Sequence, residues 1–249
     1  MKSQTRRQSS WLFASLLCLA LLGGAASTAA FAGDPTVASP PTEDYPWMSI
    51  ATWQGIHQSF VAKAKEGKAE VIFFGDSITE QWRNNAIWQK NYAPLNAANF
   101  GIGGDLTQNV LWRILNGETE NAKPKVVILL IGTNNTGANT AVEIAAGVKA
   151  NVDALRKKLP NSKILVLGIL PRGPDAKTPL RDKIAAVNAA TKKLDDGKMV
   201  RYLDIGPKLL DKNGKLNPDV SPDALHLSEK GYQIWSTAMA PLLAKMLAK

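Results

Sequence analysis

The sequence predicts an α/β protein: a three-layer α/β/α sandwich around a five-stranded parallel sheet. Three observations carry that expectation. Near-continuous runs of Val, Ile and Leu, such as KVVILLI at 125–131 and KILVLGIL at 163–170, have the pattern of strands buried on both faces. These runs alternate with segments whose apolar residues recur at helical spacing, and such alternation builds a parallel sheet covered on both sides. The clearest runs end at Gly75, Gly132 and Pro171, which places turns at the carboxyl ends of the strands.

The elements follow in order. Residues 52–66 repeat Trp53, Ile56, Phe60 and Ala64 at helical spacing. The run EVIFF at 70–74 is the first strand, and 79–89 is a helix candidate. Residues 95–100 form a weaker second strand, and 106–115 a helix. After the strand at 125–131, a long helix at 141–159 is stopped by Pro160. The strand at 163–170 precedes a helix at 180–194, a fifth strand at 199–203 and a closing helix at 228–247 with Ser228 as its N-cap. No internal repeat and no second domain interrupt this order.

Residues 1–32 stand apart from the fold. Lys2, Arg6 and Arg7 precede an apolar stretch at 11–22, and Ala30-Phe31-Ala32 has the small-x-small form of a cleavage site. This is the plan of a secretory signal peptide cut after Ala32. The apolar stretch is shorter than the roughly 20 residues that span a bilayer, so no stable membrane insertion is expected after cleavage. A periplasmic or secreted location follows. Cys18, the single cysteine of the chain, falls in this leader, so the mature domain has no disulfide, no thiolate nucleophile and no cysteine metal site. Residues 33–50 are Pro-rich and read as a linker or N-terminal surface arm, and 51–249 as the domain itself.

The formal net charge is +9, of which Lys2, Arg6 and Arg7 supply three, leaving +6 on the mature chain. The Lys and Arg residues are spread out rather than gathered, and no nucleic-acid recognition motif is present. A solvated basic surface is expected, with no nucleic-acid partner.

Four polar clusters fall where such a fold puts its ligand site, just beyond the strand ends. They are Gly75-Asp76-Ser77, the loop Asn99 to Asp105 (NFGIGGD), Gly132-Thr133-Asn134-Asn135 and Asp223-Ala224-Leu225-His226. Each alone reads equally well as a turn; all four in order on one scaffold point to acyl transfer. A serine hydroxyl needs a base to take its proton, and the base needs a carboxylate to orient it. Of the two histidines, His57 lies in the first helix pattern and reads as a surface or packing residue. His226 follows Asp223 by three residues, close enough for the carboxylate to hold one ring nitrogen while the other faces Ser77. Donors for an oxyanion are the Ser77 N–H, the glycine-rich loop and the Asn134 amide. The alternatives lack their residues: Thr79 breaks G-x-S-x-G, Leu106 breaks G-x-G-x-x-G, and neither a phosphate-binding G-K-[ST] nor a zinc-binding H-E-x-x-H occurs. No metal and no cofactor are called for.

These four blocks resemble those of the SGNH (GDSL-like) hydrolases, over the chain from about Trp53 onward. Within that family NFGIGGD, VLWRILNGE, KPKVVILLIGTNN and LGILPRG are similar to the catalytic subunits of platelet-activating factor acetylhydrolase. The resemblance implies a flavodoxin-like sheet, with Ser77 as nucleophile, His226 as general base then acid, and Asp223 orienting His226. It implies an oxyanion hole of the Ser77 and Gly104 N–H groups and the Asn134 side chain. Asp76 and Arg172 are further candidates for contact with substrate. The expected reaction is hydrolysis of a short-chain, acetyl-type ester of a carbohydrate or lipid, by a monomer or homodimer. The acetylhydrolase it resembles is intracellular, whereas this chain carries an export signal, which shifts the expected substrate away from that phospholipid. The alternatives are the same chemistry on longer acyl chains (a lysophospholipase or thioesterase) and a non-catalytic carbohydrate- or lipid-binding module.

Overall fold

The computed structural model describes residues 33–248. The expected leader, 1–32, lies outside them.

The sheet has five parallel strands in the order β2-β1-β3-β4-β5. They are β1 (Val71–Gly75), β2 (Ala97–Gly101), β3 (Val126–Leu130), β4 (Lys163–Leu167) and β5 (Val200–Leu203). This is the flavodoxin-like order, whose direction of winding reverses between β1 and β3. Gly75 is in register with Gly101 on one side and Leu130 on the other, so the ends of the three strands open onto one crevice.

The strands alternate residues between two apolar layers, as the pleat requires. Ile72, Phe74, Val127, Leu129, Ile164 and Val166 face one core, shared with α1 (Ile50–Lys65), α4 (Thr107–Leu115) and α5 (Ala141–Lys158). Val71, Phe73, Val126, Ile128 and Leu165 face the other, filled by Trp82, Trp88, Tyr92, Tyr232 and Trp235. These aromatic residues come from a short helix α2 (Ser77–Glu80) and its continuation, from α3 (Ala86–Asn91) and from the closing helix α7 (Glu229–Leu247). The α6 helix (Pro179–Thr191) extends the first layer beside α5.

Two elements differ from the sequence expectation. The helix expected at 79–89 is broken: α2 runs into a 3₁₀ turn at Gln81–Asn84 and restarts at Ala86. Asn85 breaks it, adopting an extended backbone and accepting from the Ile87 N–H as an N-cap. The strand expected to reach residue 170 leaves the sheet after Leu167. Beyond that point Asn188 takes the place of a neighbouring strand, accepting from the Ile169 N–H at 2.8 Å and donating to its carbonyl at 2.9 Å.

The Pro-rich segment 33–50 is pinned along the surface. Thr107 Oγ1 donates to the Pro35 carbonyl at 3.1 Å, Asn109 Nδ2 donates to the Ser39 carbonyl at 3.0 Å, and Asp44 accepts from Ile50 N–H at 2.7 Å. This seats Tyr45 and Trp47 beside the loop that follows β2. Among the described residues no helix is long and apolar enough to cross a membrane.

Candidate active site

Three strand ends and one distant loop build the site. Ser77 is the first residue of α2, directly after β1. Asp76 caps that helix, its Oδ1 accepting from the Ile78 N–H at 3.0 Å. As the first helical residue, Ser77 has no intrahelical acceptor for its own N–H, which is left to point at a ligand. The Asp76 side chain is 1% exposed and faces the interior, so it does not form the solvent-facing surface expected of a substrate contact. Burial pushes its carboxyl up to about 7; the Ile78 N–H opposes the rise, and the charge of Asp105 adds to it.

Ser77 Oγ lies 2.9 Å from His226 Nε2. His226 Nδ1 lies 2.6 Å from Asp223 Oδ2. The other carboxylate oxygen, Asp223 Oδ1, accepts from the backbone N–H groups of Leu225 and His226 at 3.0 and 2.7 Å. Asp223 thus shapes the turn and orients the ring at once. Burial alone would raise its carboxyl, but the hydrogen bonds from the His226 ring and the two N–H groups outweigh it and hold the group below the usual carboxylate range. Ala224, at the centre of this turn, takes a left-handed backbone with φ of 57°. The loop is anchored on both sides: Ser221 Oγ donates to the His226 carbonyl at 2.8 Å, and Ser228 N–H to the Val220 carbonyl at 2.9 Å. Tyr232 Oη on α7 donates to the Ile78 carbonyl at 2.7 Å, tying the histidine side of the site to the serine side.

Gly104 sits at φ of 87°, and a Cβ there would stand 2.8 Å from the Tyr45 ring. Both its backbone and its space therefore require glycine. Glu80 Oε2 accepts from the neighbouring Gly103 N–H at 2.8 Å. Asn134 Nδ2 donates to the Asp105 carbonyl at 3.0 Å, which fixes the amide and leaves its second N–H available to another acceptor. Asn135 is turned inward, its Oδ1 accepting from Thr107 N–H at 3.0 Å. Arg172 Nη1 donates to the Thr133 carbonyl at 3.2 Å and approaches Thr136 Oγ1 at 3.4 Å. It braces the turn that carries Asn134.

Beneath the site is a buried charge network that the sequence reading did not anticipate. Arg113 Nε and Nη2 both reach Asp105 Oδ2, at 2.8 and 2.7 Å, and Nη1 donates to Glu118 Oε2 at 2.6 Å. The same guanidinium donates to the carbonyls of Phe100 at 3.0 Å and Gly75 at 3.2 Å. Asp105 Oδ1 also accepts from Trp53 Nε1 at 2.7 Å, and Glu118 Oε1 is 2.8 Å from His57 Nδ1. Arg113, Asp105 and Glu118 are fully buried and His57 is 1% exposed. His57 is therefore a packing residue, inside rather than on the surface. The one trace of it in the sequence is slight: Arg113 stands one helical turn from Val110, which by itself does not tell a buried cation from a solvated one.

A model of the GDSL-like Lipase/Acylhydrolase family matches residues 73–234, from β1 into α7. The chain is 38% identical over 218 residues to platelet-activating factor acetylhydrolase IB subunit alpha1 of Bos taurus, covering 87% of this chain and 93% of that one. It is 39% identical over 216 residues to the alpha2 subunit of Rattus norvegicus, covering 86% and 93%. Among solved structures, a Streptococcus pneumonia protein described as a candidate platelet activating factor superposes with a TM-score of 0.66 at 25% identity, covering 76% of this chain and 92% of that one. The chain belongs to the GDSL-like lipase/acylhydrolase family and is an ester-hydrolysing enzyme.

Proposed function

We propose that the protein is an exported serine esterase that removes short acyl groups, acetyl above all, through a Ser77 acyl-enzyme. The observation that carries the mechanism is the chain of contacts from Ser77 Oγ to His226 Nε2 and from His226 Nδ1 to Asp223, at 2.9 and 2.6 Å. Ser77 Oγ attacks the ester carbonyl as His226 takes its proton, and the held carboxylate of Asp223 stabilises the imidazolium. The carbonyl oxygen becomes an oxyanion that accepts from the N–H groups of Ser77 and Gly104 and from Asn134 Nδ2. His226 returns the proton to the departing alcohol. Water then attacks the acyl-enzyme with His226 again as base, releasing the acid and restoring Ser77.

Support for an acetyl group comes from the relatives named for acetylhydrolase activity, which the chain matches over most of its length. Support for export comes from the leader pattern at 1–32. The test is hydrolysis of p-nitrophenyl acetate, butyrate and octanoate by the mature protein beside Ser77→Ala. The acetate should be the fastest substrate, and the variant should lose several orders of magnitude. Equal rates from both proteins would sink the reading, and a preference for octanoate would move it to longer acyl chains.

A further inference from the structure

The polar machinery above accounts for the acyl side of an ester, not for the alcohol. On the open side of the glycine loop stands Trp47, which is 67% exposed. Among the large hydrophobic side chains exposed on the described residues, it alone is aromatic. One face of Trp47 is packed. It stacks on Tyr45 with ring centroids 5.3 Å apart and planes 16° from parallel, and Tyr45 Oη in turn donates to the Gly104 carbonyl at 3.3 Å. Its Nε1–Cζ2 edge borders the loop: a Cβ on Gly103 would lie 3.8 Å from Trp47 Nε1 and 3.7 Å from Ser77 Cβ, and one on Gly104 would lie 3.2 Å from Trp47 Cζ2. The indole and the Ser77 side chain therefore flank the same glycine.

We infer that Trp47 is the wall of a leaving-group subsite, and that the alcohol it receives is a neutral cyclic polyol such as a pyranose. The inference rests on the serine-esterase reading and names its substrate class. Tyr45 occupies one face of the indole, so the other face is free to stack on the apolar flank of a ring. The indole N–H, which no described acceptor takes, is free to donate to a ring hydroxyl, as the polar tip of a surface tryptophan commonly does. A quaternary ammonium group is the other ligand drawn to an indole face, but it is favoured by a cage of several aromatic walls. Here one free face is offered, and Glu80, whose carboxylate borders the same Gly103, is engaged with the Gly103 N–H and with Arg83. Preordering by the Tyr45 stack lowers the entropy lost when the ring docks.

The experiment compares acetate release from peracetylated methyl glucoside, glyceryl triacetate and acetylcholine by the mature protein, Trp47→Ala, Trp47→Phe and Ser77→Ala. Stacking of this kind is worth about 0.5–1.5 kcal/mol. The ratio of kcat/KM for the glucoside over that for triacetate should therefore fall about twofold to twelvefold in Trp47→Ala. Trp47→Phe, which keeps a stacking face and loses the N–H, should recover part of it. An unchanged ratio, with both esters slowed alike, would make Trp47 a prop for the glycine loop and overturn the inference. So would a larger loss for acetylcholine than for the glucoside. In either case a Ser77-dependent wild-type rate leaves the esterase reading standing, whereas no acetate release from any ester by the wild type would bring down that reading itself.

Discussion

Replacing Arg113 by Met should cost this protein about 4–6 kcal/mol of stability. The guanidinium is fully buried and satisfies the carboxylates of Asp105 and Glu118 and the carbonyls of Phe100 and Gly75. Met fills a similar volume but donates nothing, so two buried carboxylates lose their cation. Removing one partner of a buried ion pair costs about 3–5 kcal/mol, and leaving a buried carbonyl without its donor adds about 1 kcal/mol or more. For a domain of this size each kcal/mol lowers Tm by about 2–4 °C, so a fall of about 10–20 °C is expected. The assay is urea unfolding followed by tryptophan fluorescence, read as a shift in midpoint at constant slope. The reasoning makes two further demands. The triple variant Arg113→Met, Asp105→Asn, Glu118→Gln should recover at least half the loss, because the cost lies in the stranded charges rather than in a missing attraction. The loss should also be smaller at pH 5 than at pH 8. Carboxylates without their cation have folded-state pKa values raised above their unfolded ones, and such groups cost stability as pH rises. A loss below about 1 kcal/mol, or a triple variant no more stable than the single one, would refute the account.

Three other outcomes follow from the site. Asn134→Ala should lower kcat by about 10²–10³ with little change in KM, since its free N–H meets charge that exists only in the transition state; steady-state kinetics on p-nitrophenyl acetate check this. Asp223→Asn should lower kcat by up to about 10⁴ in the same assay, because an amide can donate to Nδ1 and select the wrong ring tautomer. Asp76 has a carboxyl raised to about 7 in the folded protein, above its unfolded value, so its contribution to stability falls as pH rises from about 4 through about 7. Asp76→Asn should therefore gain stability relative to wild type at pH 8 compared with pH 5, by about 2–3 kcal/mol, since pH 5 already lies above the unfolded value; thermal melts at the two pH values decide it.

Most of the architecture could be read from residue patterns because strands buried on both faces write themselves as unbroken aliphatic runs. The misreadings share a cause: a side chain substituting for backbone. Asn85 supplies the cap that splits 79–89, and Asn188 supplies the donor and acceptor that let Ile169 leave the sheet. Neither shows in periodicity, since both depend on one amide meeting one backbone group. The site divides the same way. Ser77, Asp223, His226 and Asn134 were legible because their chemistry is rare and their order fixed. Asp105, Arg113, Glu118 and His57 were not, because each alone resembles an ordinary polar residue and the network exists only once β1, β2, α1 and α4 have packed. Tyr45 and Trp47 were hidden by their setting, in a stretch whose prolines announce a surface arm and say nothing of where it lies.

The histidine turn also bears on how the enzyme comes into being. Asp223 and His226 find each other across three residues, within a bend that Asp223 itself closes, so that half of the site can form early and locally. Ser77 is 149 residues away in the chain. It meets the histidine only through the assembled sheet and α7, where Tyr232 reaches the Ile78 carbonyl. Regain of esterase activity during refolding therefore reports the joining of the two halves, while far-ultraviolet dichroism reports the helices. A lag of activity behind dichroism would show the site closing after its helices form, and coincident signals would show one cooperative step.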